Sequence, residues 1–212
     1  MEHTNEEYIR SLLHKLKQID YIKPDDIPNI DLYMDQVTTF MDVHLKSSKR
    51  FEDDKMLTKT MINNYTKNNL LPSPNKKKYS KEHMLLLIFI YYFKNFLSIS
   101  DIQEIITPLT ERFYDKKGSI SLEAIYKEVF EFEQEQVDSL IKSVIRQYSK
   151  AENSFTEEKN EEDRRFLTTF SFICMLSFDV YVKKMMIEKL IDEQLAPYSR
   201  TEKKDKKEKK AK

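Results

Sequence analysis

One glycine, Gly118, serves a chain of 212 residues. Glycine enters left-handed backbone without a steric cost, and tight hairpin turns and many helix C-caps depend on that conformation. A chain with a single glycine and six prolines is therefore a poor candidate for many short strands joined by turns. Leu, Ile, Lys, Glu and Met, which sustain helices, are plentiful. The composition predicts a mainly α-helical protein, built as one ordinary domain or two small ones.

Apolar spacing places the helices. Tyr8, Ile9, Leu12, Leu13, Leu16 and Ile19 recur at helical period and predict an amphipathic helix over 5–20. "KPDDIPNID" reads as an extended connector, because a residue before proline is pushed out of helical geometry. A second helix is expected from Asp31 as its cap, with Tyr33, Val37, Phe40, Met41 and Leu45 inward. "KSSKRFEDDK" has no apolar period and reads as a loop. A short helix capped by Thr58 or Thr60 should follow, ending near Asn68 with Met61, Ile62 and Tyr65 inward. Asn69 is then expected in a left-handed C-terminal cap.

"LLPSPNKKKYS" is too rich in proline for a helix and has the length of a small hairpin or wing. Ser80, with Glu82 and His83 behind it, should cap a helix that is apolar on most faces over 84–96, the core of its domain. "LSISDIQEII" repeats the cap signal at Ser100 and Asp101, and Pro108 should end or kink its helix. Two longer helices are expected beyond Gly118. Ile125, Val129, Phe132, Val137, Leu140, Ile141, Val144 and Ile145 mark the first, and the second covers about 164–195, with "AENSFTEEKNEED" as the break. The tail "RTEKKDKKEKKAK" offers nothing to a core and is expected to be disordered.

Several function classes find no support. Cys174, the one cysteine, lies in an apolar run and reads as a buried, inert thiol, which fits a reducing, cytoplasmic setting. The N-terminus lacks the order of a signal peptide, so no export is expected. "FLTTFSFICMLSFDVYV", 166–182, is interrupted by Thr, Ser and Asp179 and falls short of about 20 apolar residues, so it reads as a buried helix and not a membrane span. His3, His14, His44 and His83 have no metal-ligand spacing, and neither a glycine-rich phosphate loop nor a matched nucleophile and base is present. No enzyme, cofactor or metal is expected.

Charge is zero overall but unevenly spread. Between residues 44 and 97 stand Lys46, Lys49, Arg50, Lys55, Lys59, Lys67, Lys76, Lys77, Lys78, Lys81 and Lys94, against Glu52, Asp53, Asp54 and Glu82; eleven minus four leaves seven positive charges. Acidic residues prevail over 123–165. A local positive field attracts phosphate, although a solvated basic face would read the same. The helix near 58–68 adds Asn63, Asn64 and Asn68 on its exposed side, and Asn pairs bidentately with an adenine edge. The order of capped helix, stop, basic turn and capped apolar helix matches a winged helix-turn-helix, in which a helix enters the major groove and the wing reaches phosphates.

"MINNYTKNNLLPSP", "KKYSKEHMLLLIFI" and "LSISDIQEII" together resemble the DNA-binding domain of MerR-type regulators, with Asn69 at the glycine of that pattern and Asn63 where an arginine is usual. "LYMDQVTTFM" and "TKTMINNYTKNNLLPSPNKKKYS" are similar to the bacterial family known as domain of unknown function 1836, over about 27–115. The resemblance implies a MerR-like winged helix-turn-helix with a short β-hairpin wing, followed by an all-helical C-terminal region. The expected organisation is an N-terminal helix (1–26), the winged domain (27–115), a helical dimerisation or partner region (116–197) and a charged tail (198–212). A transcriptional regulator is expected, a homodimer on double-stranded DNA that does not engage a membrane. Its contacts would come from Lys59, Thr60, Asn63, Asn64, Tyr65, Lys67 and Asn68 on the helix and Lys76, Lys77, Lys78 and Tyr79 on the wing. The alternative is a helical adaptor that docks an acidic protein. The sequence identifies no small-molecule effector.

Overall fold

A computed structural model describes Ile9, 11–13, 22–114, 120–195 and Tyr198. Ile9 and 11–13 are helical, while the rest of the expected N-terminal helix, Gly118 and the charged tail lie outside the described residues. The chain divides into two units, one of Asp20–Phe130 with Glu188–Lys212 and the other of Met1–Ile19 with Glu131–Ile187.

The first unit opens with a 3₁₀ turn, Pro24–Asp26, and a two-residue strand β1, Leu32–Tyr33. Helix α1 (Met34–His44), helix α2 (Lys59–Lys67), strand β2 (Lys78–Tyr79), helix α3 (Lys81–Phe93) and helix α4 (Ile99–Phe113) follow, and helix α5 (Leu122–Glu152) begins in this unit. β1 and β2 pair antiparallel, Leu32 with Tyr79 and Tyr33 with Lys78. This pairing corrects the start of α1. Residues 32 and 33 are drawn into the sheet, so the helix begins at Met34, and the Tyr33 amide is satisfied by the Gln36 side chain at 2.8 Å while Asp31 caps nothing. Val37, Met41 and Leu45 are buried as expected, whereas Tyr33 is exposed.

α3 is the centre of this unit. Every residue from His83 to Tyr91 is buried, so the helix is enclosed on all faces and not amphipathic. Ser80 caps it, donating its amide to His83 Nδ1 at 3.0 Å. Burial holds the His83 imidazole below its ordinary pKa, which keeps that nitrogen an acceptor, and the Tyr114 hydroxyl lies 2.9 Å from it. Around α3 the aromatic rings interlock: Phe89 meets Tyr126 edge-on at 5.3 Å, and Tyr126 lies 4.1 Å from Phe130. The Tyr126 hydroxyl donates to the Ile22 carbonyl at 2.6 Å, tying α5 to the start of the unit.

Three expectations change at α4 and α5. Ser98, not Ser100, is the cap of α4: Ser98 Oγ accepts from the Asp101 amide at 3.2 Å and Asp101 accepts from the Ser98 amide at 3.2 Å. The helix does not end at Pro108 but passes through it to Phe113, with Pro108 itself buried. In the first turns of α5 the buried positions are Leu122, Tyr126 and Phe130, one residue out of phase with Ile125 and Val129, whereas Ile141 further along is buried as expected.

In the second unit α5 continues to Glu152, and after the break helix α6 (Glu161–Leu190) follows; its last residues, from Glu188, and the π-helical turn Ile191–Leu195 belong to the first unit. Tyr148, Ala151 and Phe172 form the small core here, and Gln147 donates to Asp179 at 2.5 Å. The expectation that 166–182 is buried is not met. Phe166, Phe170, Ile173 and Phe178 are all more than half exposed, and Cys174 is exposed rather than enclosed. By length and composition alone, Glu161–Leu195 is one helix able to cross a membrane.

Candidate nucleic-acid interface

The polar helix is built by its two ends. Thr58 Oγ1 accepts from the Met61 amide at 3.2 Å and starts α2. At the other end Asn69 takes φ 55°, the Leu70 amide donates to the Tyr65 carbonyl at 2.8 Å and the Asn69 amide to the Thr66 carbonyl at 3.1 Å. These two bonds make a Schellman cap, closed by the buried pair Tyr65 and Leu70. Asn thus fills the left-handed position that the near absence of glycine leaves open. Glycine at 69 is expected to raise stability by about 0.5–1 kcal/mol, and valine to lower it by about 1–2 kcal/mol, in urea unfolding.

Between those caps Ile62 and Tyr65 are buried, and Lys59, Thr60, Asn63, Asn64, Lys67 and Asn68 are exposed. Thr60, Asn63, Asn64 and Lys67 fall on one side of the helix by their 3.6-residue spacing. Gln103 of α4 donates to the Asn68 carbonyl at 3.1 Å, bracing the C-terminal end.

The wing is smaller than a full hairpin. Asn75 and Lys78 form a single antiparallel bridge, with the Lys78 amide donating to the Asn75 carbonyl at 2.9 Å, and β2 finds its strand partner in β1. Lys76 and Lys77 occupy the two central positions at φ 48° and 66°. Positive φ at both is the signature of a type I′ turn, which Asn and Gly normally supply. Here two exposed lysines stand at the tip. Bulky residues at such angles carry a steric cost.

Wing and helix meet at the N-terminus of α1. Lys78 Nζ lies 5.1 Å from the centre of the Tyr33 ring, and two residues on, Asp35 pairs with Lys59 of α2. An open groove of about 670 Å³ runs between α1 and the start of α2, lined in part by Thr38, Asp42, Lys55, Thr58 and Thr60.

Not every expected contact residue lies on this surface. Tyr65 and Tyr79 are buried, and burial raises both phenol pKa values, so they pack into the platform behind the surface. Lys59 is partnered by Asp35. The positive field is also thinner than the sequence count, since Lys49 pairs with Asp42, Lys81 with Glu123, and Lys94 is half-buried with Nζ donating to the Met56 carbonyl at 2.6 Å. Lys67 on the amide-bearing helix and Lys76 and Lys77 at the tip of the turn remain exposed. Sequence reasoning did not anticipate the Asp35–Lys59 and Tyr33–Lys78 junction; acids and aromatics near a basic patch were its one visible signal. Among the described residues, no three His, Cys, Asp or Glu side chains converge to hold a metal.

Neither a curated protein nor a solved structure matches the chain. A family model does match, over residues 22–129, which takes in β1 to the first turns of α5 and covers half of the sequence. On that match, the chain belongs to the family described as Domain of unknown function (DUF1836).

Proposed function

We propose that this chain is a DNA-binding regulator of transcription with a MerR-like winged helix-turn-helix, in which α2 enters the major groove and the lysine-tipped turn reaches the neighbouring phosphates. One observation carries the reading: a helix capped at both ends exposes Thr60, Asn63, Asn64 and Lys67, and its first turn is joined through α1 to the turn that exposes Lys76 and Lys77. Asn63 and Asn64 read base edges, while Lys67, Lys76, Lys77 and Lys78 neutralise phosphates and fix the register. α3 is the rigid support behind them. The regulator acts as a homodimer, whose two helices meet successive half-sites.

Selection of bound duplexes from a random library tests the assignment. The wild-type chain is expected to enrich a defined site, and Asn63→Ala is expected to cost about 1–3 kcal/mol on that site while leaving binding to other duplexes unchanged. A library that emerges unenriched overturns the proposal and favours the second class of partner, an acidic protein.

A further inference from the structure

α6 buries Thr168 and Phe172, and Phe172 packs with Tyr148 and Ala151, with Leu176 at the edge of that contact. Its other side stays bare. Phe166, Phe170, Ile173 and Val180 each expose more than half of their surface, an apolar area of the kind that marks an interaction site. The order of residues along this side identifies what covers it.

At about 100° per residue, a stripe within roughly 60° of Ile173 runs from Glu162 to Lys184. Counted outward from Ile173 in both directions, Phe170 matches Leu176, Thr169 matches Ser177, Phe166 matches Val180 and Glu162 matches Lys184. Each match is of a kind: apolar with apolar, hydroxyl with hydroxyl, acid with base. Just outside the stripe Asp163 matches Lys183 in the same way. A face of this type is complementary to its own antiparallel copy, which is what a two-fold symmetric interface requires of a single surface. A lipid surface asks for apolar side chains but gives no reason for a mirrored order of charges.

We propose that the chain pairs with a second copy of itself through this face of α6, the two helices antiparallel and the two-fold axis at Ile173. Ile173 then meets its own counterpart, Phe166 lies against the partner's Val180, and the acids at one end lie against the lysines at the other, over on the order of 33 Å of helix. The seam gives the homodimer proposed above its surface, but it stands on the α6 pattern alone. Dimerisation should therefore survive glutamine substitution of Lys76, Lys77 and Lys78, and the two readings fail separately.

The test uses the full chain and light scattering at tens of micromolar. A mass of twice 25.5 kDa is expected. Glu162→Lys with Asp163→Lys should weaken the dimer at least tenfold, and adding Lys183→Glu and Lys184→Glu to the same chain should restore it. Because these side chains lie on the surface or at its edge, helicity by circular dichroism should hold throughout. In a Cys174→Ser background, Ile173→Cys should form a disulfide-linked dimer under a mild copper oxidant, whereas Phe166→Cys should crosslink only when mixed with Val180→Cys. A monomer, a dimer indifferent to the charge reversal, or insertion into lipid vesicles without dimerisation overturns the proposal.

Discussion

Replacing Lys76, Lys77 and Lys78 together by glutamine is expected to weaken binding to every duplex alike, and to lower the slope of log affinity against log salt by about two to three. Each phosphate neutralised by a lysine releases close to 0.9 of a counterion, so three lysines account for a slope of roughly 2.7. Between 50 and 200 mM salt that slope alone is worth roughly fortyfold in affinity. The effect should fall on all sequences because wing contacts position the protein and carry no base information. Lys78 is the most constrained of the three, lying over Tyr33, and Lys76 and Lys77 stand at the exposed tip. Anisotropy titrations of wild type and variant at several salt concentrations check the slope. A variant that keeps the wild-type slope would remove the wing from the interface.

The second large effect is on stability. Leu86 in the middle of α3 is fully buried, with buried neighbours on both sides along the helix. Leu86→Ala is expected to cost about 2–5 kcal/mol, the lost transfer energy of the side chain plus the cavity left in a close-packed site. Against a typical total of about 5–15 kcal/mol, this removes a large share of the folded state's margin. Urea unfolding followed by circular dichroism measures it. DNA binding should weaken only under conditions where the fold is lost, which separates this variant from one in the interface. A cost below about 1 kcal/mol would mean that α3 is not the support for α2 and the wing.

Local chemistry was legible in the sequence. Thr58, Ser80 and Asn69 act through hydrogen bonds to residues at most four or five positions away, so their roles can be read from neighbours alone. The apolar run from Met84 announces a core because few other environments accept it. Tertiary choices were less legible. Leu32 and Tyr33 read as the first turn of a helix until residues 78 and 79 are known to pair with them. The inward phase of the first turns of α5 depends on Phe89 receiving Tyr126 and Phe130, which periodicity within α5 does not disclose. Pro108 lies buried inside a helix that its residue type alone would be expected to end.

The candidate site divides along the same line. Asn63, Asn64, Lys67, Lys76 and Lys77 are exposed where spacing and turn chemistry place them. Tyr65 and Tyr79 were read as contacts and are buried, since an aromatic residue serves a platform or a surface with the same pattern. Lys59 and Lys94 counted toward the basic field and are taken up by Asp35 and the Met56 carbonyl, partners that only folding supplies. The exposed side of α6 reversed the expectation of a buried helix, because hydrophobicity states that a face needs cover without stating who provides it. The scarcity of glycine did not prevent tight turns. Asn69, Lys76, Lys77 and Phe155 all take positive φ.

The central claim is that α2 and the wing read a duplex. The measurement that bears on it most directly is anisotropy binding of the purified full chain to the DNA upstream of its own gene and to a scrambled duplex of the same composition, titrated with salt. At least a tenfold preference for the upstream DNA, about 1.4 kcal/mol, together with a steep loss of affinity as salt rises, is the expected result. Equal affinity for both duplexes, or no binding to either, would contradict it.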